Sequence, residues 1–376
     1  MSRRDELLDA IREQAETWAD AGIRSEEIRA LPAETAALLA ELGFFWLKTP
    51  AELGGTPLTP LEFCDVIEEL AYADASVAWA AMIGAGCNGL AGGWLPGAAR
   101  VFAPGKPLPV VAGQLSPRGT GTPVTGGYDV SGRWAFSSGI THADWLIGAF
   151  KSVQDSRIIV FTAPKSQAEV IDNWHVAGLQ GTGSLDWRVE SLFVPSEMTY
   201  ELGAAAPRGG ALFRLGMPAF VSNEVPPWCA GVARRALDDM TSIATRTARF
   251  PGGPTVSERA VFHKELGRAE VRLRAARLVH RDAMGRAWET AVSGSAPSEG
   301  EQIAVTSASV YAVETCFDVV SDLFRYGGGR VLSLASPMQR HLRDLLAARQ
   351  HLALSEESYE TAGRFRLELA AEGRTE

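Results

Sequence analysis

One histidine near the end of the chain has the side chain best suited to acid–base chemistry. An imidazole can titrate near neutral pH, so His351 could deprotonate a phenol or an amine, or hold a proton that a reaction must not lose. His351 follows Asp344 by seven residues, about two turns if the segment is helical. The same side chain could instead lie on the exposed face of an amphipathic helix, the commoner place for a lone histidine.

Hydroxyl and guanidinium side chains in glycine-rich segments are candidates for holding a polar cofactor. Hydroxyls donate and accept hydrogen bonds, and an arginine can pair with a phosphate. The candidates are Ser137 and Ser138, Thr182 and Ser184 in Gly181–Ser184, and Arg330 after Gly327–Gly329. Each also has an ordinary structural explanation: a strand-end hydroxyl, a turn former or a helix-end charge.

The glycines on either side of Thr120 are superficially similar to a nucleotide-binding fingerprint. They precede a hairpin instead of opening a helix, so we predict that Gly119, Thr120 and Gly121 form a loop. No nicotinamide site is visible in the sequence, and electrons for a redox reaction must therefore arrive from a separate protein.

Composition excludes several classes of partner. The net charge is −9 with no basic stripe, which argues against nucleic acid and anionic membranes. The four cysteines are scattered, so we expect neither a disulfide framework nor a metal site, and a reduced cytoplasmic location fits best. We find no signal peptide and no run of about 20 apolar residues, and therefore expect no membrane span.

Hydrophobic periodicity divides the chain into three parts that must position these side chains. Residues 1–105 repeat apolar residues at helical spacing, which predicts an N-terminal α-helical domain. Residues 106–213 contain short β-branched and aromatic runs, which predict an antiparallel β-domain with a hairpin turn at Gly126-Gly127. Residues 214–376 contain long helical patterns, the last from Ser336 to Phe365, which predict a C-terminal four-helix bundle. The fold class is α+β.

This order and several motifs resemble the acyl-CoA dehydrogenases. The segments that carry the resemblance are Leu42-Gly43 with Pro50 and Gly54-Gly55, Ala73-Asp74-Ala75-Ser76 with Trp79, Phe193-Val194-Pro195, and Arg340 with Arg343-Asp344. The resemblance covers nearly the whole chain and implies an acyl-CoA dehydrogenase-like fold.

Other segments resemble one branch of that superfamily, the flavin-dependent monooxygenases. They are Gly126-Gly127-Tyr128, Ser131–Trp134, Ser137–Gly139, His142–Trp145, Gly181–Ser184 and the tail from Pro337 to Gly363. In that branch reduced flavin reacts with O2 to give a C4a-hydroperoxide, which must be kept from losing H2O2 until a substrate arrives.

The resemblance implies a role in a flavin site for most of the candidates. Ser137 matches the position whose hydroxyl meets flavin N5, with Ser138 as the alternative, and His351 matches a catalytic histidine. The implied cofactor contacts are Ser116 at the ring edge, Trp134 and Trp174 as walls, Thr182 and Ser184 at the ribityl phosphate, and Arg330 beside Gly328 at a phosphate, across a subunit interface. Arg246 is a weaker candidate because the motif Thr245–Phe250 aligns ambiguously. Trp134 and Trp174 could equally belong to the β-domain core.

Two departures from the relatives' patterns matter for function. The glutamate base of straight-chain dehydrogenases would fall in Arg349–Ala353, which contains His351 and no acid. Many relatives also carry a second histidine in the stretch that reads here Ile83–Gly89. We predict that Cys87 and Asn88 line the substrate pocket instead, and that the glycines around them leave room for a bulky substrate.

The leading hypothesis is therefore the oxygenase component of a two-component monooxygenase that uses reduced FMN or FAD and O2 on an aromatic or polyketide-like compound. Its implied partners are a separate NAD(P)H-flavin reductase, a small-molecule substrate and further copies of itself in a homotetramer. Three alternatives stay open at this point: N-oxygenation of an amine or amino sugar, an acyl-thioester dehydrogenase, and a non-catalytic flavin-binding scaffold.

Overall fold

The N-terminal part is helical, as the periodicity predicts. The structure, a computed structural model, describes residues 1–248, 250 and 252–374. Its first helices are α1 (Arg3–Glu13), α2 (Ala15–Ile28), α3 (Ala33–Glu41), α4 (Pro60–Ala73), α5 (Ala75–Trp94) and α6 (Ala98–Val101). The apolar pattern runs unbroken from α4 into α5, but Asp74 between them has extended backbone, and its carboxylate accepts a 2.9 Å hydrogen bond from the Val77 amide. This N-cap fixes where α5 begins.

The middle part is one sheet. Its strands are β1 (Val111–Val124), β2 (Gly127–Trp134), β3 (Trp145–Ser152), β4 (Ile158–Pro164), β5 (Glu169–Ile171), β6 (Asp186–Pro195) and β7 (Thr199–Glu201), in the spatial order β5-β6-β2-β1-β3-β4-β7. Neighbouring strands are antiparallel except β1 and β3, which run parallel, so the expectation of a purely antiparallel domain is wrong for this pair. Strand β2 returns the chain between these two parallel strands. The crossover connection from β2 to β3, residues 135–144, passes the end of β1 and carries Ser137 and Ser138.

The β1–β2 hairpin is present, but its turn is Thr125-Gly126, one residue earlier than predicted, and a second turn prediction is wrong. Val124 pairs with Gly127, and Gly126 turns the chain with a φ of 82°. Residues 119–121 belong to β1 and pair on both sides, so the predicted loop is wrong. A β-carbon on Gly119 would lie 2.5 Å from the Trp134 ring, and one on Gly121 would lie 2.2 Å from the Phe150 ring. These glycines therefore serve close aromatic packing on the sheet.

The C-terminal part is helical again: α7 (Gly210–Arg214), α8 (Gly216–Ser222), α9 (Val225–Arg246), α10 (Ala260–Val292), α11 (Glu299–Phe324), α12 (Pro337–Ala348) and α13 (Glu357–Ala371). Helices α9 to α12 pack against one another as a bundle, and α13 packs on α11. Helix α11 is long and apolar enough to cross a membrane by composition alone, but 56% of its most apolar window is buried in the bundle, as in the core helix of a soluble protein. The domain limits at 105 and 213 remain predictions.

The last helical pattern is two helices, not one. Helix α12 ends at Ala348 and α13 begins at Glu357, so the stretch between them, which contains His351, is a turn. The Leu354 amide donates to the His351 carbonyl at 2.9 Å, and Leu352 points outward with 70% of its surface exposed. The apolar residues keep a near-helical spacing through this stretch, but the backbone does not continue as a helix.

Candidate active site

Trp79 on α5 is the side chain at which the three parts of the chain meet. Its ring lies edge-on to the His351 ring, with centroids 6.0 Å apart and an interplanar angle of 75°. Its indole Nε1 donates a 3.0 Å hydrogen bond to Ser138 Oγ in the crossover connection. On another side it packs edge-on against Trp228 of α9, 5.0 Å between centroids. The sequence identifies Trp79 only as part of a motif and does not predict its place in the site.

A chain of hydroxyl groups begins at this indole. Ser138 Oγ lies 2.7 Å from Ser184 Oγ, which lies 2.7 Å from Thr182 Oγ1. Thr182 donates to the Leu179 carbonyl at 2.8 Å. An indole only donates and a hydroxyl has one hydrogen, so the direction follows: Ser184 donates to Thr182, and Ser138 donates to Ser184. The predicted residues Ser138, Thr182 and Ser184 are thus brought together.

The two neighbouring serines differ in what their hydroxyls can still do. Ser138 donates its only hydroxyl hydrogen to Ser184. Ser137 Oγ accepts a 2.9 Å hydrogen bond from Trp187 Nε1, and its own hydrogen has no acceptor among the described residues. Both side chains are buried. Of the pair, Ser137 is therefore the one with a hydroxyl free to donate to a bound group.

His351 is half-buried in the turn after α12. Its amide donates to the Ala348 carbonyl at 3.0 Å, and its Nδ1 accepts a 3.3 Å hydrogen bond from the Ala353 amide. The neutral ring must then carry its proton on Nε2. Burial lowers the pKa of His351 to about 4, below the near-neutral value on which the sequence argument relied. At neutral pH this residue is an uncharged hydrogen-bond donor through Nε2.

An aromatic pair lies beside these groups. Phe136, directly before Ser137, has a φ of 62° and 67% of its surface exposed, and its ring lies edge-on to Trp174 at 6.2 Å. Trp174 Nε1 donates to the Leu179 carbonyl at 3.2 Å, which ties it to the end of the hydroxyl chain. A left-handed backbone is unusual for a bulky residue and is retained where the surroundings enforce it. Phe136 was not among the predicted site residues.

Trp134 lies in the core of the sheet domain. It stacks on Trp187 with centroids 4.3 Å apart, its Nε1 donates to the Ala149 carbonyl at 2.7 Å, and it has no exposed surface. Its ring and its N–H are thus both engaged in contacts inside the sheet domain. Of the two explanations that the sequence left open for Trp134, the structure supports the packing role.

Ser116 lies where β1 is irregular. The pairing of β1 with β3 is interrupted between Gly113 and Pro117, and the Ser116 amide donates to the side chain of Gln114 instead of to a strand. Ser116 is half-buried. The interruption frees this stretch of backbone from the ladder, which is compatible with the predicted contact at a ring edge.

Helix α5 is buried on every side. Its slightly exposed side chains all lie on one stripe along the helix. The members of this stripe are Ala75, Trp79, Ile83, Cys87 and Leu90, each between 5% and 8% exposed. Their spacing of three and four residues places them on one face. Cys87 thus shares a face with Trp79, about 12 Å further along the helix.

Asn88 and the glycines of α5 have structural tasks. The Asn88 amide donates to the Phe45 carbonyl at 2.8 Å and accepts from the Val111 amide at 2.9 Å, and the side chain is fully buried, so the structure does not support its place in a pocket. A β-carbon on Gly84, Gly86, Gly89 or Gly93 would lie 2.0 to 2.6 Å from Phe45, Glu224, Phe220 or Phe213. The predicted room for a bulky substrate is therefore filled by neighbouring side chains.

The two arginines predicted to contact a phosphate make no contact with this cluster among the described residues. Arg246 is exposed, and its Nε donates back to the Ser242 carbonyl of its own helix at 3.2 Å. Arg249, the other arginine of that motif, lies outside the described residues. Arg330 and Gly328 are exposed in a short 3-10 helix, Gly328–Leu332, where Gly328 has a φ of 62°. A role for Arg330 at a phosphate needs a neighbouring subunit, as the resemblance implies.

The residues that do come together fit a flavin. A planar, polar ring system needs an aromatic face and hydrogen-bond donors at fixed positions. Phe136 and Trp174 present exposed or half-buried aromatic surface, and Ser137, next to Phe136, has a hydroxyl hydrogen without an acceptor in the part of the chain that the structure describes.

Comparisons with known proteins agree with this fold. Residues 4–92 match the N-terminal domain and residues 226–356 the C-terminal domain of acyl-CoA dehydrogenases. Indole-3-acetate monooxygenase of Pseudomonas putida is 27% identical over 95% of this chain and 91% of its own length. The FADH(2)-dependent resorcinol hydroxylase, oxygenase component, of Rhizobium sp. is 26% identical over 93% and 90%. The crystal structure of 3-HSA hydroxylase from Rhodococcus sp. RHA1 superposes with a TM-score of 0.89, at 25% identity, over 100% of this chain and 98% of that one.

The chain therefore belongs to the acyl-CoA dehydrogenase superfamily. Within it the chain falls in the branch of flavin-dependent monooxygenases, which makes it an oxidoreductase. The predicted fold and family are both confirmed.

Proposed function

We propose that this protein is the oxygenase component of a two-component flavin-dependent monooxygenase and hydroxylates a small aromatic or polyketide-like compound with reduced FMN or FAD and O2. The observation that carries the proposal is the meeting of His351, Trp79 and Ser138, each from a different part of the chain. The relatives that match nearly the full chain are named as monooxygenases and hydroxylases.

Each residue of the site has a separate role in the proposed reaction. Bound reduced flavin supplies the electrons and, with O2, the oxygen atom that is transferred. The Ser137 hydroxyl would donate to the flavin ring, because its hydrogen has no acceptor among the described residues. Neutral His351 would donate a hydrogen bond from Nε2 to a group bound in the site. The apolar stripe of α5, including Cys87, excludes water and receives the substrate.

The dehydrogenase alternative needs a carboxylate base in this cluster. Among the residues that the structure describes, no carboxylate hydrogen-bonds to His351, Ser137 or Ser138. Asp344 accepts from the Leu179 amide, and Glu224 is paired with Lys48 at 2.6 Å. This arrangement favours oxygen chemistry over removal of a carbon-bound proton.

The proposal includes partners and a cellular location. A separate NAD(P)H-flavin reductase would supply the reduced flavin, as the name of the resorcinol hydroxylase component suggests for that relative. A homotetramer would cover exposed apolar side chains of the C-terminal part such as Val271, Leu278, Leu332 and Leu334. It would also bring Arg330, which lies close to Leu332 and Leu334 in the sequence, to a phosphate in a neighbouring subunit. The cytoplasm provides both reductase and reducing conditions for the four free cysteines.

The test is a rapid-mixing experiment with chemically reduced FMN or FAD. The protein is loaded with reduced flavin without oxygen and then mixed with O2 while absorbance is recorded. The proposal predicts a spectrum that differs from both reduced and oxidised flavin and outlasts the protein-free control. An immediate return to oxidised flavin would contradict it. Tightly bound oxidised FAD that an acyl-CoA bleaches would instead identify a dehydrogenase.

A further inference from the structure

A buried carboxylate on α12 contacts the loop that ends the hydroxyl chain. Asp344 has no exposed surface, and its Oδ1 accepts a 2.6 Å hydrogen bond from the Leu179 amide. Its Oδ2 has no hydrogen-bond partner among the described residues. Burial raises the pKa of this carboxyl to about 6, because the charged form is less stable away from water. Such a costly group calls for an explanation.

The charges around Asp344 belong to its own helix, to α2 and to the start of α5. Arg340 Nε lies 3.8 Å from Asp344 Oδ2, but its guanidinium is bonded to Asp74 at 2.9 Å. Arg343 pairs with Glu26 at 3.0 Å. Neither arginine gives Asp344 a hydrogen bond, so the Leu179 amide is the donor that fixes the carboxylate.

Leu179 is held in an unfavourable conformation by this contact. Its φ is 54°, a left-handed backbone that a branched residue adopts at a cost. Its carbonyl accepts three hydrogen bonds, from Thr182 Oγ1 at 2.8 Å, from Trp174 Nε1 at 3.2 Å and from the Thr182 amide at 3.2 Å. The orientation of this one carbonyl therefore sets the direction of the chain through Thr182, Ser184 and Ser138 to Trp79.

The loop approaches α12 so closely that only glycine fits before Leu179. A β-carbon on Gly178 would lie 2.0 Å from the Arg343 carbonyl. This contact is independent of the Asp344 hydrogen bond and shows that loop and helix form one packed unit. The same helix ends at Ala348, whose carbonyl holds the amide of His351 at 3.0 Å.

We propose that Asp344 is a positioning residue: by holding Leu179 against α12, it fixes His351 and the Ser138 hydroxyl chain relative to each other on the two sides of Trp79. Asp344 itself touches no reacting group. The role in catalysis rests on the proposed function, whereas the positioning of His351 does not.

The test uses the imidazole of His351 in the flavin-free protein. With 13C-labelled histidine, the His351 resonance is assigned by its loss in His351→Gln among the six histidines of the chain. Asp344→Ala should shift this resonance and broaden it. Asp344→Asn, whose amide oxygen can still accept from Leu179, should restore it. Leu345→Ala, a cavity in the same helix, is the control for general loss of stability and should leave the resonance in place.

An unchanged His351 resonance in folded Asp344→Ala would overturn the proposal, and so would a shift of equal size in Leu345→Ala. If the alanine variant does not fold, Asp344→Ser shortens the side chain out of reach of Leu179 while leaving a hydroxyl for water, and the same expectations apply. If the resonance behaves as expected but wild-type protein forms no oxygenated flavin spectrum, the positioning role stands and the proposed function fails.

Discussion

Trp79 donates a 3.0 Å hydrogen bond to Ser138 while the edge-on contact of its ring with His351 spans 6.0 Å between centroids. One side chain of α5 thus connects a hydroxyl in the sheet domain with an imidazole that follows the bundle. Neither contact is local in sequence, because Trp79 lies 59 positions from Ser138 and much further from His351. The predictions below separate the tasks of these groups.

Removing the indole N–H of Trp79 should affect the site more than the fold. Trp79→Phe keeps an aromatic ring beside His351 but leaves Ser138 without its donor, a loss of about 1 kcal/mol. We expect the oxygenated flavin spectrum to decay about tenfold faster, since that factor corresponds to roughly 1.4 kcal/mol of barrier. The matched control is Trp94→Phe, which loses a comparable bond to the Ala204 carbonyl at 2.8 Å. Equal effects of both variants on the decay would refute this role.

The hydroxyls of the two neighbouring serines each accept a hydrogen bond from a buried indole, so each alanine variant should lower the free energy of unfolding by about 1 to 3 kcal/mol. Ser137→Ala also removes the free hydroxyl donor and should shorten the lifetime of the same spectrum about tenfold. Ser137→Thr, which keeps a hydroxyl, should recover both quantities. Ser138→Ala breaks the same hydrogen bond as Trp79→Phe and should shorten the lifetime by a similar factor. A wild-type lifetime in Ser137→Ala would contradict the donor role of Ser137.

Acid should destabilise the protein partly through His351. Its folded pKa is about 4 and the ordinary value is 6.5, so the unfolded chain takes up the proton first as pH falls. The contribution is present above pH 6.5 and is lost as pH falls toward 4. Compared with His351→Gln, wild-type protein should lose roughly 2 kcal/mol more unfolding free energy across that window in urea titrations. If the free energies of unfolding of wild-type protein and His351→Gln change equally from pH 7 to pH 4.5, His351 is not desolvated.

The buried ion pair of Lys48 and Glu224 should govern stability. Lys48 Nζ bonds Glu224 and the Phe220 carbonyl, both at 2.6 Å, and both charged side chains are buried. Lys48→Met leaves the Glu224 carboxylate unpaired and should cost about 3 to 5 kcal/mol. Adding Glu224→Gln should recover part of that loss. The exposed pair Arg286–Asp282 is the control, and Arg286→Ala should cost no more than about 0.5 kcal/mol. A small effect of Lys48→Met would mean that water reaches the pair.

The sequence predicted the fold class, the three-part order and several of the clustered residues, because apolar periodicity and long motifs are local signals. It missed Phe136 because alternation along β2 places Trp134 and Phe136 on the same face. The strand ends at Trp134, and the left-handed backbone of Phe136 turns its side chain outward. The position at which a strand ends depends on its pairing with neighbouring strands, and the alternation of apolar residues does not contain that information.

Long-range contacts explain the remaining errors. The glycines of α5 suggest empty space in the sequence, but Phe45 and Phe220 from elsewhere in the chain fill it. The contact of Asp344 with Leu179 joins residues 165 positions apart. The turn at His351 also interrupts an apolar pattern that reads as helix. Such features follow from tertiary packing and not from spacing.

The most direct measurement compares wild-type protein with His351→Leu in the rapid-mixing experiment with reduced flavin and O2. Leucine removes the Nε2–H donor, and His263→Leu, which changes an exposed histidine of α10, is the control. Loss of this donor should accelerate the decay of the oxygenated flavin spectrum by roughly tenfold and release H2O2, while the control matches wild type. If His351→Leu decays at the wild-type rate, His351 is not the group that protects the reaction and the account of this site is wrong.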